Sequence, residues 1–105
     1  MRLSMLLVLA LPGLVAVSGA QAQDVREGQR IAQQWCSGCH QIGTKPVQAN
    51  DAVPSFYAVA QMTSTTMMSL TVFLSSTHGR MPDYNLTRSE IRNVSSYILS
   101  LRKEP

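Results

Sequence analysis

A chain of 105 residues with nine Lys and Arg against six Asp and Glu, formal charge +3, is too balanced to argue for nucleic acid as a partner. Its length suits one small domain, and its two cysteines permit at most one disulfide. A domain of this size buries a thin core and is usually stapled by disulfides, a metal or a cofactor, so something beyond cysteine pairing is expected to complete it.

The first segment decides how much chain is left to fold. Met1 and Arg2 make a short basic start, residues 3–17 are an apolar run interrupted by Pro12-Gly13, and small residues lead to Ala20-Gln21-Ala22. That order is a secretory signal peptide spanning residues 1–22, cleaved after Ala22. The alternative, a retained membrane anchor, needs roughly 18–20 uninterrupted apolar residues, which this run does not supply. No cysteine precedes Cys36, so no lipid-modified N-terminal cysteine is expected. The expected mature domain, residues 23–105, has 83 residues and no permanent membrane anchor, and losing Arg2 leaves eight basic against six acidic side chains.

Residues 24–35 read as the first helix. Asp24 is the candidate N-cap with Glu27 completing a capping box, and Val25, Gly28, Ile31, Ala32 and Trp35 recur at helical spacing. Residues 41–53 dissolve into Gly, Thr, Lys, Pro, Asn and Asp, which is loop chemistry. A short helix runs from Pro54 or Ser55 to Gln61, with the proline at or near its first position. Residues 63–65 offer caps for another helix over 66–76, with Met67, Leu70, Thr71 and Leu74 as its inner stripe and Met68 and Phe73 flanking it. His78-Gly79 ends that helix, and residues 80–86 form an extended loop containing Met81-Pro82. The last helix is the clearest: Thr87 and Glu90 make a capping box, and Ile91, Val94, Tyr97, Ile98 and Leu101 share one face. Arg102 and Lys103 suit the negative end of its dipole. No segment alternates as a strand would, so the fold class is all-α.

Both cysteines fall in Cys36-Ser37-Gly38-Cys39-His40, the C-x-x-C-H pattern of covalent haem c attachment. Two thiols three residues apart reach the two vinyl groups on one porphyrin edge, and the next residue is placed to offer its Nε2 to the iron. Haem attachment of this kind takes place outside the cytoplasm, and the leader independently supplies export. Three rivals are weaker. Trp-Cys-x-x-Cys also opens thioredoxin-like redox sites, but that fold needs a parallel-crossover sheet and a longer chain. A zinc site from Cys36, Cys39, His40 and His78 lacks a second close pair of ligands. A plain disulfide across so short a loop stabilises little and has no use for His40.

Five side chains are candidates for the second axial position: Met62, Met67, Met68, Met81 and His78. Methionine in an apolar helical stripe is ordinarily core filling, which covers Met67 and Met68, with Met62 closing a helix in the same way. Met81 lies in an irregular loop stiffened by Pro82, and it is the preferred ligand. His78 is the competitor, with a simpler reading as a histidine at a helix C-terminus.

With these residues in place, the chain resembles the class I c-type cytochromes over nearly the whole mature domain. The resemblance rests on Gly28, on residues 36–40, on Pro54, on Met81-Pro82, and on Leu86-Thr87 leading to Ile91, Val94 and Tyr97. It implies three to five helices wrapped around one haem, with the N- and C-terminal helices crossing. It implies that Gly28 allows the close crossing, against Val94 and Tyr97, and that the Pro54 carbonyl accepts the Nδ1–H of His40. Pro46 lies in the same loop, and Ala32 stands where the family often has an aromatic residue.

Iron held by His40 and Met81 leaves no position for a substrate, so the expected function is outer-sphere electron transfer by a periplasmic monohaem carrier, not an enzyme. Ser37 and Gly38 are small enough to leave a haem edge open, with Trp35 and residues 80–82 bordering it. The partners are redox proteins, met as a monomer or as part of a redox complex. Alternatives are a dedicated cytochrome subunit of a periplasmic dehydrogenase or reductase, and a haem sensor or peroxidase-like protein with a labile sixth ligand.

Overall fold

The computed structural model describes residues 12–14, 20–45, 52–77 and 79–103. Among them are α1 (Ala20–Ile31), a π-helical turn (Ala32–Cys36), α2 (Phe56–Gln61), α3 (Met67–Leu74) and α4 (Arg88–Ser100), with no β-strand. The all-α expectation holds.

The organising element is α4. The Thr87 side chain accepts from Glu90 N at 3.2 Å while the Glu90 carboxylate accepts from Thr87 N at 2.7 Å, so two of the helix's orphan donors are satisfied reciprocally. Its apolar stripe, Ile91, Val94, Tyr97 and Ile98, is buried together with Leu101. Helix α1 lies across this stripe and contributes Ile31 and the adjoining Ala32, while α2 and α3 rest on α4 through Phe56, Ala60 and Leu70. Ser95, also on α4, is buried with its hydroxyl making no hydrogen bond.

Gly28 is where the crossing becomes possible. A Cβ there would lie 1.9 Å from the Asn93 carbonyl oxygen and 2.9 Å from Tyr97 Cβ, so the two backbones are in contact. The expected partners are Val94 and Tyr97; the atoms that come closest belong to Asn93 and Tyr97. Ala32 is fully buried, a second small residue in the same region.

Several local expectations are corrected. In the uncleaved chain helix α1 begins at Ala20 and passes through Asp24, so Asp24 is not its N-cap there, and Glu27 pairs with Arg30 across 2.5 Å instead of closing a capping box. Pro54 precedes the helix: Ser55 is the N-cap of α2, accepting from Ala58 N at 3.0 Å. Thr66 caps α3 with Ser69 as its reciprocal partner, and of the expected inner stripe Leu70 is buried and Leu74 half-buried, while Met67 and Thr71 are exposed. Met68 is exposed too, because α3 is apolar on nearly every side and can bury just one of them.

Arg102 does not serve the dipole of α4. It lies beyond the C-cap Leu101 and donates to Ala60 O at 2.8 Å, Met62 O at 3.2 Å and Thr65 O at 2.6 Å. Those are the carbonyls at the C-terminal end of α2 and in the turn into α3, where no intrahelical donor remains. Gln61 reinforces the junction by donating to Leu101 O at 3.0 Å.

Candidate functional site

The site begins where α1 ends. Ile31 is the last α-helical residue, and the next turn closes through Ser37 N donating to Ala32 O at 2.9 Å, an i→i+5 bond. Widening the helix by one residue per turn rotates the succeeding side chains away from the buried stripe, and π-turns of this kind are frequent at functional sites. Trp35, expected on the inner stripe, is consequently 42% exposed, whereas Cys36 is 8% exposed. The carbonyl of Cys36 then accepts from both Cys39 N at 3.1 Å and His40 N at 2.9 Å. This tight turn leaves Cys39 exposed and His40 half-buried. Both cysteines are free thiols, and burial pushes the Cys36 thiol up from its ordinary value of 9.0.

His40 Nδ1 lies 2.7 Å from the carbonyl oxygen of Pro54. A carbonyl can only accept, so Nδ1 carries a proton, and in the neutral ring this fixes Nε2 as the nitrogen with the lone pair. The neighbouring backbone repeats the tie, Phe56 N donating to Gln41 O at 2.9 Å. Phe56 is buried with its ring 5.5 Å from that of His40, and Tyr97 lies 6.4 Å beyond Phe56. The Tyr97 hydroxyl donates to Ile42 O at 2.5 Å, which fastens the segment after His40 to α4. Of the two prolines in this loop, Pro46 lies outside the described residues.

Met81 is half-buried in the loop leading to α4. It lines a cleft with Cys36, Phe73, Leu74, Tyr84 and Leu86, so the loop methionine and the first cysteine open onto one mostly apolar space. Tyr84 reaches back over Trp35, with ring centroids 5.3 Å apart at 40°. Met62 and Met68 are exposed and do not line this cleft, and His78 lies outside the described residues. The structure thus joins His40 to Pro54, and Met81 to Cys36. No three His, Cys, Asp or Glu side chains converge as metal ligands among the described residues.

The donor set suits a haem. It offers two free thiols at C-x-x-C spacing, an imidazole whose Nδ1 is committed to a backbone carbonyl, and a thioether in an apolar cleft. Sequence reasoning missed Phe56 and Tyr84. Phe56 stands two residues after Pro54 and was traceable as the residue entering α2, but nothing in the order of residues pairs Tyr84 with Trp35.

Residues 23–98 match the family described as cytochrome c oxidase, cbb3-type, subunit III. A curated relative, cytochrome c-552 of Bradyrhizobium diazoefficiens, is 36% identical over 85 residues, covering 81% of this chain and 82% of the relative. No solved structure matches.

Proposed function

The chain belongs to this c-type cytochrome family, with covalent haem c as the cofactor, and on that premise we propose that it is a periplasmic monohaem electron carrier. The observation that carries the reading is His40, prepared as a ligand by the Pro54 carbonyl and set directly after Cys36-x-x-Cys39. In this reading the thiols of Cys36 and Cys39 would hold the haem covalently as two thioethers, and His40 Nε2 and Met81 Sδ would be the side-chain donors to its iron. A bound haem supplies an iron that alternates between ferric and ferrous states by outer-sphere transfer.

The chain's own residues fix the terms of that transfer. The Pro54 carbonyl holds the Nδ1 proton of His40, which sets the tautomer, orients the ring and raises the basicity of Nε2. Phe56 packs against the imidazole and limits its rotation. Met81 is an uncharged donor in an apolar cleft, and this combination favours the ferrous state and raises the potential. Were His40 and Met81 both to hold the iron, no open position would be left for a substrate. That separates a carrier from a haem sensor or peroxidase-like protein.

Export supports the reading from a second direction. The family match begins at residue 23, directly after the cleavage point read from Ala20-Gln21-Ala22. No helix among the described residues is long and apolar enough to cross a membrane. The matched family is described as an oxidase subunit, which favours a second reading as the cytochrome component of a larger redox complex. Stoichiometric co-purification with another chain separates the two.

The deciding experiment is mass spectrometry of the exported protein after acid–acetone extraction, which removes haem that is not covalently held. Residues 23–105 plus one haem are expected; a bare chain, bridged or not, overturns the proposal. Met81→Ala is expected to lose the sulfur-to-iron charge-transfer band and His78→Ala to keep it.

A further inference from the structure

We propose that Trp35 and Tyr84 form an aromatic latch that holds the Met81 loop against the segment carrying Cys36. This makes them positioning residues for the Met81 thioether, and it rests on the reading of Met81 as the sixth ligand.

The loop between Gly79 and α4 is anchored unevenly. At its C-terminal end Leu86 packs against the core and Thr87 is fixed by its reciprocal bonds with Glu90. At its N-terminal end Gly79 has φ of +48°, and both it and Arg80 are exposed. Met81 stands next to this exposed end, five residues from Leu86. Met81 takes part in an isolated backbone bridge, and a side-chain contact further along the loop adds to that hold.

Two features converge on Tyr84. Asp83 Oδ1 accepts from Asn85 N at 2.8 Å and Asn85 takes φ of +52°, a left-handed turn that Asn tolerates better than most residues. That turn brackets Tyr84 and directs it across the cleft. On the opposite side, the π-turn carries Trp35 off the buried face of α1, where regular helical spacing would place it. The rings meet at 5.3 Å and 40°, within the favourable range for an aromatic pair. Each residue is 42% exposed, so neither is needed to fill the core. Cys36 comes directly after Trp35 and lines the same cleft as Met81 and Tyr84, so the contact ties a residue of the cleft wall, Tyr84, to the neighbour of another, Cys36.

A latch of this kind acts on the lifetime of the Met81 bond more than on the stability of the fold. For an exogenous ligand to enter the ferric protein Met81 would have to swing away, and that movement would require the two rings to part. No electron or proton is exchanged in that step.

The test uses the ferric holoprotein and imidazole as the entering ligand, monitored by stopped flow. Trp35→Ala and Tyr84→Ala are each expected to speed imidazole binding about two- to tenfold, the scale of one aromatic pair. The double variant is expected to be no faster than the quicker single variant, and Tyr84→Phe, which keeps the ring, to bind at the wild-type rate. Thermal midpoints should stay within a few degrees of wild type, which a merely structural role would not preserve alongside the rate change. Met81→Ala is the reference and should bind fastest of all. Wild-type rates in both single variants beside a fast Met81→Ala overturn the latch and leave the ligand assignment standing. Additive effects in the double variant overturn the pairing. A Met81→Ala protein that binds no faster than wild type overturns the assignment of Met81 itself, and the latch with it.

Discussion

Replacing Gly28 with alanine tests the architecture at the place where it leaves least room. The added Cβ would sit 1.9 Å from the Asn93 carbonyl oxygen, 2.5 Å from its carbon and 2.9 Å from Tyr97 Cβ. Ordinary contact needs about 3.5 Å, so α1 and α4 have to separate by roughly 1.5 Å. The obstacle is backbone, which cannot step aside as a side-chain tip can. Overpacking in a well-filled core costs about 1–3 kcal/mol and occasionally more, and a backbone clash belongs at the upper end of that range. Against this, alanine in a helix interior is better than glycine by about 1 kcal/mol. The net loss is therefore about 2 kcal/mol, equivalent for a domain of this size to a fall in Tm of roughly 8–16 °C. Far-UV circular dichroism of the holoprotein, scanned against temperature, measures it. Gly43→Ala is the control, since a Cβ there meets nothing within 4 Å, and it should melt like wild type. An unchanged or raised midpoint for Gly28→Ala would mean that helix propensity outweighs the crossing, and the close-contact argument fails.

Packing and hydrogen bonding set three further outcomes. Ser95→Ala should stabilise the protein by about 1 kcal/mol in denaturant titration, because the buried Ser95 hydroxyl has no partner. Arg102→Ala should cost about 2 kcal/mol by releasing the carbonyls of Ala60, Met62 and Thr65, and Arg102→Lys should recover little, because a single ammonium cannot reproduce the guanidinium fork. Burial raises the Tyr97 phenol above its ordinary 10.0, so above that pH the unfolded chain releases a proton that the folded chain keeps. Stability therefore falls as pH rises past 10, and the advantage of wild type over Tyr97→Phe in melts at fixed pH should narrow there.

The legibility of this fold in its sequence depends on how far each interaction reaches along the chain. The cap of α4 joins residues three apart, Thr87 to Glu90, and is read directly; the cap of α3, Thr66 to Ser69, is equally local, but Thr63, Ser64 and Thr65 compete for it in the sequence. The buried stripe of α4 is equally readable, because a regular helix turns its period directly into a face. The π-turn breaks that conversion. From Ala32 onward the helical period no longer says which way a side chain points, so the period places Trp35 inside although it lies outside.

The longer ties depend on which segments the folded chain brings together. Arg102 reaches back 42 residues to Ala60 and Tyr97 reaches 55 to Ile42, and neither has a local signal. The tie from His40 to Pro54 spans 14 residues and was foreseeable through the resemblance alone, since a carbonyl carries no mark in the sequence. The same distinction explains the site. Residue identities at positions 36–40 name the chemistry, because thioether formation needs particular side chains at a particular spacing. The backbone carbonyl, the Phe56 ring and the Tyr84 contact set how firmly that chemistry is held, and many residues at those positions could have done so. A site of this kind exposes its reaction class in sequence and keeps its tuning in the fold, so variants that change the potential or the ligand-exchange rate should map to contacts outside the C-x-x-C-H motif.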